Sequence, residues 1–179
     1  MKYFRLQSDQ AQLSGSIRQE SGPAIFRLAR GEPYDAEPDE LPFRFTYTEV
    51  EGKPLCDYYS GKCLMSQALA QALQAAGVDN LQVFPAVLTE RSTGATREDY
   101  CVVNIIGKVA VANMAQSDAL PLGGGHVFIK LSIDAGKARG LLMFRLAESL
   151  VDVIVYEKVA QALEARPFRG LKLTAVTAP

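Results

Sequence analysis

The sequence predicts a single α+β domain over residues 1–179, in which a mainly antiparallel, twisted sheet carries two principal helices. Three observations lead there. Short apolar runs rich in Val, Ile, Phe and Tyr recur between turn-forming residues, which is the pattern of strands joined by hairpins. Only two stretches, starting near Ser66 and Tyr156, have the Ala/Leu/Gln content and spacing of helices. A chain of 179 residues with 48% hydrophobic and 22% charged content is ordinary for one globular core.

Taken in order, Tyr3-Phe4-Arg5-Leu6 and Ala24-Ile25-Phe26-Arg27-Leu28 read as short strands separated by a polar stretch of Gln, Ser and Gly. Residues 31–42 change character. Glu32, Asp35, Glu37, Asp39 and Glu40 interleave with Pro33, Pro38 and Pro42, with no basic residue among them. Prolines withhold backbone donors and like charges repel, so a mobile, solvated, acidic loop is expected. Phe43, Phe45 and Tyr47 alternate with polar neighbours as a half-buried strand does. Ser66 is placed to cap a helix over Gln67–Ala76, with Leu69 and Leu73 on one face and Gly77 as a left-handed terminator.

Leu81–Leu88 and Tyr100–Ile106 predict a hairpin across the polar turn 91–96, and the second of these, with Val109–Val111, predicts the centre of the sheet. A loop is expected at Leu120–Gly125, then strands at Val127–Ile133, Leu141–Leu146 and Val151–Val155. A helix from Tyr156 to about Ala165 and a strand over Leu171–Val176 complete the pattern. Moving the sequence by ninety positions sets Ser66–Phe84 over Tyr156–Thr174 without a gap, and Ala70-Gln71-Ala72-Leu73 falls on Ala160-Gln161-Ala162-Leu163. Duplication and common helix-forming physics both account for this match.

Nineteen basic against twenty acidic residues give a net charge near −1, so nucleic acid is not an expected partner. Neither an apolar leader nor a membrane-length apolar run is read, which excludes membrane insertion from the expectations. Cys56, Cys63 and Cys101 lack paired spacing, and reduced thiols in a cytoplasmic setting are expected, with no structural metal and no cofactor. His126, the single histidine, would have to serve any Ser/His or Cys/His chemistry, with Cys101 or a nearby carboxylate as its partner. It follows Gly123-Gly124-Gly125, which lacks the Lys-Ser/Thr of a phosphate loop. Asp57, Asp99, Asp134 and Asp152 fall at element boundaries without catalytic spacing, so turn-capping and solvation suit them better. No catalytic set is expected. The acidic segment, flanked by Tyr34, Phe43, Tyr47, Tyr58 and Tyr59, is the sequence's candidate contact surface, with Glu32, Tyr34, Asp35, Glu37, Asp39 and Glu40 as its candidate residues.

Several segments together carry a family resemblance: Leu55-Cys56-Asp57-Tyr58, Met65-Ser66-Gln67-Ala68-Leu69, Val83-Phe84-Pro85-Ala86, the strand from Tyr100, Met143-Phe144-Arg145-Leu146 and Val153–Lys158. In their order the chain resembles the eleventh family of predicted immunity proteins of bacterial polymorphic toxin systems, formerly a domain of unknown function. The resemblance implies a cytoplasmic, non-catalytic protein that binds and neutralises a cognate toxin encoded nearby. Two other classes stay open: a small hydrolase or transferase relying on His126, and a self-associating regulatory protein that forms homo-oligomers.

Overall fold

The computed structural model describes residues 2–13 and 15–177. In chain order the elements are β1 (Tyr3–Ser8), β2 (Ile17–Ser21), α1 (Ile25–Leu28), β3 (Phe43–Tyr47), β4 (Tyr58–Tyr59), β5 (Leu64–Ser66), α2 (Gln67–Ala75), β6 (Leu81–Glu90), β7 (Thr96–Arg97) and β8 (Tyr100–Ile105). Then come β9 (Lys108–Val109), β10 (Asp118–Leu122), β11 (Gly125–Lys130), α3 (Ala135–Ala138), β12 (Met143–Leu146), β13 (Ser149–Tyr156), α4 (Glu157–Glu164) and β14 (Leu171–Val176). The expected α+β domain is present, with α2 and α4 as its two principal helices.

The strands divide into two sheets and a separate hairpin. One sheet runs β14-β1-β13-β12-β9, the other β2-β3-β6-β8-β5-β4 with β7 beside β6, and β10 pairs with β11. Pairing is mainly antiparallel, with parallel contacts at β3–β6 and β9–β12, so both sheets are mixed.

Three local expectations give way. Residues 24–28 form the single helical turn α1 rather than a strand, with Arg27 N donating to Ala24 O and Ala29 N to Ile25 O. That turn buries Leu28 completely and leaves Phe26 64% exposed, whereas a strand would aim both to one side. Leu120–Leu122 belong to β10 rather than to a loop; the turn is only Gly123-Gly124, both with positive φ (56° and 84°), as a two-residue primed hairpin requires. Of 109–111, only Val109 pairs, at the edge of a sheet rather than its centre. The polar stretch before α1 also contains an unexpected edge strand, β2, paired with β3.

The ninety-residue correspondence proves to be architectural. β5 and β6 pair antiparallel with opposite sides of β8, so β5–α2–β6 is a parallel unit with one antiparallel strand inserted. β13–α4–β14 encloses β1 in the same way. The registers agree: Ser66 pairs with Tyr100 and Tyr156 with Tyr3, while Leu81 pairs with Ile105 and Leu171 with Ser8. β4 and β12 add the matching fourth strands, with Tyr58 opposite Met65 and Met143 opposite Val155. The second unit is circularly permuted, because its inserted strand comes from the other end of the chain.

Packing repeats the symmetry. A central core joins Met65, Leu69, Leu73 and Val103 of the first unit to Val155, Val159, Leu163 and Leu6 at the equivalent places of the second. Phe43, Phe45, Leu64 and Tyr100 fill the outer face of one sheet, and Tyr3, Phe128, Phe144 and Ile154 that of the other. Each sheet is therefore covered on both faces, which fixes the loops and the hairpin that form the molecular surface.

Candidate partner-binding surface

The acidic segment leaves α1 and crosses the rim of the β6–β8 pair. The backbone of Tyr34 is held by one side chain: Tyr34 N donates to Gln82 Oε1 (2.8 Å), and Gln82 Nε2 donates to Tyr34 O (3.3 Å). Fully buried Asn104 donates to Glu32 O (2.7 Å) and to the same Gln82 oxygen. Farther along, the Tyr34 hydroxyl donates to Glu40, and Glu40 Oε2 accepts from Glu37 N, closing a capped turn over Pro38–Glu40.

The structure thus brings Tyr34, Glu37 and Glu40 together and sends Asp35 and Asp39 to solvent. Glu32 lies apart, in an ion pair with Lys108 (3.1 Å). Of the flanking aromatics, Phe43, Tyr47, Tyr58 and Tyr59 are core, and only Tyr34 faces the segment's surface.

A second surface was hidden in the sequence. On the β10–β11 hairpin, Leu120 stands opposite Val127, and their i+2 neighbours Leu122 and Ile129 share that face. All four are exposed, from 43% for Val127 to 67% for Leu122, while Phe128 on the reverse face is buried and anchors the ribbon. Val151, 74% exposed on β13, lies beside the hairpin tip, in the cleft that Leu122 and Val127 also line. Large aliphatic side chains grouped on one exposed face mark interaction surfaces rather than chance exposure.

The four candidate aspartates have structural work. Asp152 holds Arg5 through two bonds to Oδ1 (2.7 and 3.1 Å), Asp99 pairs with Arg97, Asp134 caps α3 through Gly136 N, and Asp57 accepts from Arg169 N. Cys101 is buried on β8 against Met65 O, and burial pushes its thiol up to about 11, so it is protonated at neutral pH. It makes no contact with His126, which sits on the hairpin against the Phe128 ring. The His126 cleft also holds Glu148 and Ser149. His126 Nδ1, Glu148 Oε2 and Ser149 Oγ are buried there without hydrogen-bond partners among the described residues, so no proton relay links them.

Among the described residues no helix is long and apolar enough to cross a membrane. The immunity protein family Imm11 matches residues 5–178, nearly the whole chain. The chain belongs to the Imm11 family. No curated protein matches it. The Imm11 match covers both structural units, the acidic segment and the hairpin, so an immunity-type role attaches to the fold as a whole.

Proposed function

We propose that this Imm11 protein neutralises a cognate toxin by binding it stoichiometrically, in the cytoplasm of the cell that makes both, without catalysing a reaction. The observation that carries this reading is the four-aliphatic face of the β10–β11 hairpin, a ribbon joined to neither sheet that exposes Leu120, Leu122, Val127 and Ile129 together. Burying such side chains in a partner is worth roughly 1.5–3 kcal/mol each before association costs. The exposed carboxylates Asp35, Glu37 and Asp39 suit steering of a basic partner, and Glu32, Tyr34 and Glu40 frame them.

The test is co-expression with the toxin encoded beside the gene. Leu122→Glu with Ile129→Glu is expected to weaken the complex at least ~100-fold and abolish growth protection, while the melting temperature stays unchanged. Asp35→Lys with Asp39→Lys is expected to slow association and to flatten its salt dependence. A full-strength complex with the hairpin variant removes that face from the interface. The enzymatic alternative draws on the three unpaired groups around His126, and protection by far less than one equivalent, lost in His126→Ala, would select it.

A further inference from the structure

Two sheet arginines are drawn away from solvent, Arg5 partly and Arg145 almost completely, and among the described residues only Arg5 has a carboxylate partner. Arg5 is paired with Asp152. Arg145, on β12, is 4% exposed; its Nη1 donates to Leu150 O (2.9 Å), its Nη2 meets only the Cys63 thiol (3.7 Å), and its Nε has no partner among the described residues. A guanidinium keeps its charge in proteins, so burying it without an anion is costly. Cys63 does not supply one: burial raises its thiol despite Arg145, leaving it protonated at neutral pH. Burial also raises the Tyr58 hydroxyl, with Arg145 pulling it the other way.

Arg145 lines a cavity of about 320 Å³ between α1 and the strands β5, β8, β12 and β13, at the lower end of the roughly 300–1,000 Å³ typical of small-molecule sites. The walls are apolar, chiefly Met65, Val103, Ile105 and Val153, and no acidic residue lines it. Phe26 and Val151, both largely exposed, stand at its mouth. Nε and Nη2 share one edge of the planar guanidinium, whose spacing matches the two oxygens of a carboxylate. A single cation among aliphatic walls suits one negative charge on an apolar body better than a phosphate dianion, which needs more donors.

We propose that this cavity binds a small monocarboxylic acid, its carboxylate paired with the Arg145 guanidinium and its apolar body lying along Met65, Val103 and Val153. The assignment does not rest on the toxin-binding reading.

Hexanoate and benzoate, with hexanamide and benzamide as uncharged matches, are titrated into the whole protein and followed by the arginine Nε–H resonances in ¹⁵N-edited NMR spectra. One resonance, identified as Arg145 by its loss in Arg145→Met, is expected to move saturably with at least one acid, the matching amide binding at least ~10-fold more weakly. Val151→Glu keeps Arg145, alters only an exposed position at the mouth, and is expected to weaken acid binding by a similar factor. Equal binding of acid and amide, unchanged affinity in either variant, or no movement of the Arg145 resonance up to ~10 mM acid overturns the assignment.

Discussion

Glu90 ends β6 with a carboxylate that organises the following turn: its Oε2 accepts from the backbone N and hydroxyl of both Ser92 and Thr93, at 2.7–2.9 Å. These donors hold its acidity at about 2 against an ordinary 4.5. A carboxyl lowered in the fold adds stability that is complete above its unfolded value and is lost as pH falls toward the folded one, here between 4.5 and about 2. Glu90→Gln is therefore expected to be less stable than the parent at neutral pH, with the difference shrinking across that window. Urea unfolding at neutral pH and near ~2.5 reads the two ends. Arg145 shows the opposite situation, a charge whose surroundings supply no counterpart.

At the scale of elements, the two helices share a core but not a cap. Ser66 Oγ accepts from Leu69 N (3.2 Å), whereas Tyr156, at the corresponding place before α4, makes no capping bond. Ser66→Ala is expected to cost about 1 kcal/mol, seen as a lower urea midpoint with unchanged slope. Elements whose pattern runs over several residues were legible in the sequence: α2 with its cap and Gly77, β3 by alternation, and β6 and β8 by their β-branched runs. α1 was not, because four residues offer no period and only the burial of Leu28 decides which way the chain turns. β10 was obscured by Pro121, which a central strand would reject but which a two-stranded ribbon tolerates. The acidic segment was visible by composition alone. The aliphatic face of the hairpin was not legible, because Leu120 and Leu122 fell in an expected loop and hydrophobicity does not reveal which side of a ribbon remains uncovered. The Arg145 cavity was out of reach, since α1, β5, β8, β12 and β13 meet only after the chain folds.

At the centre of the molecule lie two similar four-stranded units back to back, one contiguous and one closed by β1. The ends of β1 and β14 lie side by side, Tyr3 opposite Val176. Joining residues 2 and 177 through a short flexible linker, and opening the chain at Gly52 in the exposed Val50–Lys53 turn, would make both units contiguous. This permuted chain is expected to keep the parent circular dichroism spectrum and one cooperative unfolding transition; a spectrum of unfolded chain would show that the order of connection matters. In the natural order, β1 is synthesised well before its two ladder neighbours, β13 and β14. Its hydrogen-bonding edges lack their native partners while β2 to β12 are made, which leaves a nascent strand open to premature pairing until β13 and β14 flank it.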